Sequence, residues 1–272
     1  MQDELVSIIM ASYNARKYIS DSIDSIIAQT YHNWELLITD DCSADGTRDI
    51  LKQYEEKDSR VRVAYMEKNL GAGHTRNRSI ERAQGRYIAF CDSDDRWMPT
   101  KLEQQINFMK EKDCGMVFSS YIVCDENNNN KGVIIAPRKQ SLFQTKCDDK
   151  IGFLTCMYDT EKIGGKMLMP TIRKRQDYAH VLQVLQKCKY AYGMKEPLAY
   201  YRIHTGSISH NKWSLIKYEV ETYKLVFGHS TLTAYLFLFF FFMPTYTLKQ
   251  VKKRVDNLRK RKYLSSYESF MD

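Results

Sequence analysis

A chain of 272 residues, 43% of them hydrophobic, is long and apolar enough for one large α/β domain or one domain with an appendage. Its seven cysteines are odd in number, scattered and without a CxxC pair, which excludes a disulfide framework and a cysteine zinc site; no leader pattern precedes Val6, so a reducing cytoplasm is the expected compartment. The formal net charge of +8 is lodged almost wholly between Lys249 and Lys262, where eight Lys and Arg meet the single acid Asp256, so the body is near neutral and not built to bind nucleic acid.

Strand and helix signals alternate along the first half. Val6–Ala11 is a short apolar run suited to a buried parallel strand, and Ile19, Ile23, Ile26 and Ile27 follow at helical spacing. Trp34–Thr39 reads as a second strand, Asp45 as the N-cap of a helix through Leu51 and Tyr54, and Val61–Tyr65 as a third strand. A helix carrying Ser79, Ile80 and Ala83 ends near Gly85, Tyr87–Cys91 is a fourth strand, and Pro99 opens a helix bearing Leu102, Ile106 and Met109. This order predicts a mostly parallel sheet wrapped by helices. Beyond Cys114 the pattern loosens. Met116–Phe118 and Gly132–Ile135 read as strands around a turn at Asn127–Asn130, a helix starts at Asp177, and Ala199–Tyr201 is a last strand.

Ligands of such sheets bind outside the carboxyl ends of the strands. Three polar clusters fall there: Ser12-Tyr13-Asn14, Asp40-Asp41-Cys42-Ser43, and Asp92-Ser93-Asp94-Asp95. Carboxylates held as close as those of the third cluster repel one another unless a cation lies between them. Oxygen ligands of that kind suit Mg²⁺ or Mn²⁺, which also takes substrate phosphates. The competing reading is a solvated acidic turn before a helix, in which Asp95 only caps that helix.

Ala234–Met243 (AYLFLFFFFM) is ten apolar or aromatic residues closed by Pro244, well short of the about 20 needed to span a bilayer. With the basic stretch behind it, the segment fits a partly buried hairpin or an in-plane helix attracted to anionic lipid on the cytoplasmic side. The alternative is a C-terminal helix packed on the core or on a second subunit.

The motifs Val6–Asn14, Ile38–Thr47, Asn69-Leu70-Gly71 with Arg76-Asn77, the DxD run Asp92–Asp95, Arg175–Tyr178, and Tyr201–His204 with Ser207 and Ser209 occur in that order. Together they resemble the family 2 glycosyltransferases of the GT-A fold, in the form that builds bacterial cell-surface polysaccharides, over roughly residues 4–210. The resemblance implies a GT-A domain over 1–212, with a nucleotide-binding half (1–113) and an acceptor-binding half (114–212); the apolar run and basic stretch read as a helical, membrane-associating tail (213–272). It implies that Ala11, Tyr13, Asn14 and Asp41 line the nucleotide pocket and that Arg76 lies near the nucleotide. Asp92 and Ser93 would face the ribose or metal side. Asp94 and His204 would hold the metal, Arg202 and Ser207 would lie near the phosphates, and Asp177 would be the catalytic base.

Two departures stand out: Cys42 occupies a position where the family commonly has Gly, and Gln176 one where Glu commonly precedes the base. Neither a Q-x-x-R-W motif nor a set of spanning helices is present, so one sugar per encounter is expected rather than processive synthesis. The expected activity is an inverting, Mn²⁺- or Mg²⁺-dependent transfer of a hexose-type sugar from a UDP-sugar to a hydroxyl of a glycan or polyprenyl-diphosphate-linked acceptor. It would take place on the cytoplasmic face of the inner membrane. Two rivals remain: a sugar nucleotidyltransferase, which would carry a Gly-rich basic loop where Ser12-Tyr13-Asn14-Ala15 stands, and a catalytically inactive membrane-associated scaffold.

Overall fold

A computed structural model of the chain describes residues 4–204, 215–245 and 247–248. The elements follow in the order β1 (Val6–Ser12), α1 (Ile19–Ile27), β2 (Trp34–Asp40), α2 (Thr47–Lys57), β3 (Val61–Tyr65), α3 (Ala72–Arg82), β4 (Tyr87–Phe90), β5 (Arg96–Trp97) and α4 (Lys101–Lys112). The second half adds β6 (Met116–Asp125), β7 (Asn130–Ile134), β8 (Lys139–Ser141), α5 (Leu142–Cys147), β9 (Met157–Asp159), α6 (Thr160–Ile163), α7 (Gln176–Lys187), β10 (Tyr190–Ile203), α8 (Leu215–Phe227) and α9 (Thr231–Phe237). The last continues through a π-helical turn, Leu238–Phe242.

One ten-stranded sheet organises the molecule in the order β3-β2-β1-β4-β9-β6-β10-β5, with β7 on β6 and β8 on β10. Strands β3, β2, β1 and β4 are parallel, as their continuous apolar runs require when helices cover both faces. The three-residue β9 runs antiparallel to both β4 and β6. Two reversals cancel, so β6 and its parallel neighbour β10 point the same way as β4. The end of β10 therefore reaches the sheet edge where β1, β2 and β4 also end. Side chains alternate across the sheet, giving one core against α1 and α4 (Ile8, Met10, Ile23, Leu102) and another against α3 and α7 (Ile9, Ile80, Phe90, Val184).

The structure extends several expected elements. Strand β6 runs on to Asp125, β10 starts at Tyr190, and α3 opens seven residues before Ser79, at Ala72. Gly46, with φ 92°, takes the N-cap position of α2, and Asp45 supports it from one residue upstream by accepting from the amides of Thr47 (3.0 Å) and Arg16 (3.1 Å). Asp95 does not cap α4, whose N-cap is Thr100; its buried carboxylate accepts the Arg202 amide of β10 at 2.9 Å.

The C-terminal segment packs on the body along one side. Val220 and Tyr223 of α8, with Ala234 and Leu238, pack on Tyr178 and Leu182 of α7. The opposite side of α9 leaves Leu232, Tyr235, Leu236, Phe239, Phe240 and Phe241 exposed. Among the described residues no single helix is long and apolar enough to cross a membrane; α8 and α9 would reach that length only together, and they meet at a bend of 116°. The basic stretch Lys249–Lys262 and the junction at 212–213 lie outside the described residues.

Candidate active site

Four chain segments converge where the parallel strands end. After β1 the backbone turns at Asn14 (φ 48°), whose amide donates to Ser43 Oγ at 2.8 Å and whose Oδ1 accepts the Ala44 amide at 3.0 Å. These bonds tie the loop after β1 to the loop after β2. Ala11 ends the strand half-buried, and Tyr13, at 54% exposed, stands in solvent and takes no part in the core. Cys42 keeps the left-handed conformation (φ 66°) that a glycine would adopt freely, at a cost of about 1–2 kcal/mol for a residue with a side chain.

Asp41 is buried, and its two oxygens accept the amides of Leu70 and Gly71, each at 2.8 Å. Gly71, at φ 87° and ψ 161°, occupies a region open essentially to glycine alone, which aims its amide at Asp41 as the chain enters α3. The neighbouring Asp40 is spoken for by Arg48 at 2.6 Å and by Ser43, so it is a fastening of the loop.

Asp92, Ser93 and Asp94 follow β4, all half-buried. Asp92 pairs with the buried guanidinium of Arg76, which lies 5.2 Å from the Phe153 ring centroid. Burial alone would weaken the Arg76 charge. The charge of Asp92 and its hydrogen bond, reinforced by Asp177 and Asp94, outweigh it and hold the group above its ordinary value. A single cation thus feels carboxylates from two loops about 80 residues apart in sequence. Asp177 itself is half-buried in the first turn of α7, where the helix dipole favours a carboxylate.

His204, just past β10, brings Nε2 to 3.0 Å from Asp94 Oδ2, and its ring lies tilted by 38° at 5.1 Å from that of Tyr18. Burial and the charge of Asp92 raise the Asp94 carboxyl, against the pull of His204; burial and the same acidic neighbours raise Asp95 further. Such a field is one that a bound cation relieves. Among the described residues no three His, Cys, Asp or Glu are grouped to enclose a metal. Asp94 and His204 are an oxygen and a nitrogen donor that could hold an ion whose other ligands are phosphate oxygens and water.

Arg202 is engaged with protein groups. Its guanidinium is buried, paired with Asp21 of α1 at 3.0 Å and stacked 4.5 Å from the Tyr18 ring. Ser207 lies outside the described residues. A further cluster escaped the motif reading. Arg175, the N-cap of α7, has φ 66° and pairs with Glu219 of α8 at 2.6 Å, with Asp149 at 3.7 Å. Burial pushes the Asp149 carboxyl up to about 6 and that of Glu219 up to about 7, the Arg175 charge offsetting only part of the penalty. The only sequence signal for it was Arg175 beside Asp177; its partner lies 44 positions on, in a helix whose pattern spoke only of the tail.

A parallel-strand platform with a DxD loop, a late histidine and a carboxylate at a helix N-terminus fits a sugar-transferring enzyme. Residues 7–165 match the model of glycosyl transferase family 2, and the chain belongs to that family. It is 48% identical over 214 residues to a Bacillus subtilis protein named as a teichuronic acid biosynthesis glycosyltransferase, TuaG, covering 78% of this chain and 84% of that one. It is 39% identical over 218 residues to the Escherichia coli UDP-Glc:alpha-D-GlcNAc-diphosphoundecaprenol beta-1,3-glucosyltransferase WfgD, covering 80% and 84%. The mannosyltransferase PcManGT of Pyrobaculum calidifontis, solved with GDP-Man and Mn²⁺, shares the fold at a TM-score of 0.62 and 15% identity, over 92% of this chain and 75% of that one.

Proposed function

We propose that this glycosyltransferase moves one sugar from a UDP-sugar to a hydroxyl of a lipid-linked glycan, with inversion at the anomeric carbon. The observation that carries the reading is the meeting of Asp94 with His204 at 3.0 Å beside the Asp92–Arg76 ion pair. Asp177 accepts the proton of the acceptor hydroxyl as its oxygen attacks the anomeric carbon. The bond from that carbon to the diphosphate oxygen breaks on the opposite face, and UDP leaves. Asp94 and His204 are the residues that would hold Mn²⁺ or Mg²⁺, which offsets the charge gathering on the diphosphate. The half spanning 1–113 takes the nucleotide, with Asp41 toward the base and Tyr13 free to cover it; the half spanning 114–212 takes the acceptor. Arg202, held by Asp21, fixes the approach of β10 and with it His204.

The acceptor class is supported by WfgD, whose name gives a diphosphoundecaprenol substrate, and by a groove of about 560 Å³ between α5 and the π-helical turn that follows α9. Phe143, Phe240, Phe241 and Pro244 line it beside Asp148 and Lys150, a setting suited to an isoprenoid chain. The exposed aromatic side of α9, followed in sequence by the basic stretch, supports docking on the cytoplasmic face of an anionic membrane.

Asp177→Asn and Asp94→Ala test the assignment. With a panel of UDP-sugars and Mn²⁺, Asp177→Asn is expected to lower transfer at least a thousandfold while nucleotide affinity stays within a few-fold of wild type. Asp94→Ala is expected to weaken Mn²⁺-dependent UDP binding, read by calorimetry. Full transfer by Asp177→Asn would remove it as the base.

A further inference from the structure

We propose that Glu219 of α8 is a positioning residue for catalysis: it clamps Arg175 in the left-handed turn that sets the N-terminus of α7 and so aims Asp177. The inference rests on the reading of Asp177 as the base, and it makes a helix of the tail part of the catalytic body. Arg175 is the residue immediately before α7, and Asp177 is the second residue within it. A residue with a side chain holds φ 66° only where its surroundings over-determine it.

Those surroundings are specific. Glu219 Oε1 lies 2.6 Å from Arg175 Nη2, Asp149 approaches Nη1 at 3.7 Å, and the Tyr178 ring lies 4.1 Å from the guanidinium. The Glu219 side chain is almost completely buried, and a buried carboxylate persists only with a partner that repays its lost hydration. Of the charges near Asp177, Arg76 and Arg175 are cationic, and Asp149 and Glu219 anionic. Without Glu219, Arg175 is left facing Asp149 and Asp177, and it is free to turn toward the base.

The test uses the full chain and the UDP-sugar that it turns over fastest, with released UDP measured. Glu219→Gln is expected to lower kcat at least tenfold with the donor KM within twofold of wild type, and Glu219→Asp to recover to within about threefold. Arg175→Ala with Glu219→Gln in one chain is expected to be no slower than Arg175→Ala alone, because both act through one contact. A kcat for Glu219→Gln within twofold of wild type overturns the proposal, as do losses in the double variant that multiply. Hydrogen exchange gives a readout free of turnover. Amides of residues 176–180 are expected to exchange at least tenfold faster in Glu219→Gln while those of β1 keep their rates; unchanged rates at 176–180 overturn the clamp. A wild-type chain that turns over no UDP-sugar, or a fully active Asp177→Asn, would refute the functional reading instead, and the exchange experiment would still judge Glu219.

Discussion

Lys101 is fully buried in the first turn of α4, its Nζ donating to Gln105 at 2.7 Å and lying 3.8 Å from the centre of the Trp97 ring. Burial lowers its pKa to about 7. Below that pH the folded and unfolded chains both carry the proton. Between about 7 and 10.5 only the unfolded chain does, so stability rises with pH across that window, by at most about 4 kcal/mol from pH 7 to 10. Urea unfolding of Lys101→Met over the same range is expected to lack that rise; a slope equal to wild type would refute the assignment. At this scale the positions of the candidate site residues were readable, because the loops after parallel strands are where polar side chains can gather without breaking the sheet. Asp41, Asp94 and His204 sit in those loops, and Asp94 and His204 do meet. What Arg202 and Asp95 touch was not readable. Asp21 lies 181 positions from Arg202, and Asp95 accepts a β10 amide 107 positions on.

At the level of elements, β9 shows why short strands escape periodicity. Met157-Tyr158-Asp159 is too short to display alternation, and it is a strand only because β4 and β6 pair with its two sides. Arg86 then locks Asp159 in place at 2.8 Å. This one strand sets the direction of everything after it, including the edge at which His204 emerges. The docking of α8 is likewise a matter of packing. Tyr223 is buried, its ring 5.2 Å from Phe237, and its hydroxyl donates to the Lys146 carbonyl at 3.1 Å. Tyr223→Ala is expected to cost about 3 kcal/mol in urea unfolding, the range for removing a buried aromatic side chain. A loss below about 1 kcal/mol would mean that α8 rests on the body without adding to its core.

On the scale of the whole molecule, charge and apolar surface are segregated. The body is near neutral, α9 turns aromatic residues outward, and the cations follow in sequence. The membrane reading predicts that Phe239→Ser with Phe240→Ser, at positions 67% and 61% exposed, loses most binding to phosphatidylglycerol vesicles in flotation, with thermal unfolding unchanged. Retained flotation would point to the basic stretch alone. Deleting the whole tail would not isolate this effect, because α8 covers Tyr178 and Leu182 and carries Glu219.

The alternation of strands and helices in the first half, the three acidic or polar loops and the family itself were written in the chain, since each is a local pattern of apolar spacing followed by turn and carboxylate chemistry. The antiparallel insertion of β9, the burial of α8 and the Glu219–Arg175 contact behind Asp177 were decided only by the tertiary structure. They join residues dozens of positions apart through packing and desolvation, which no local pattern encodes.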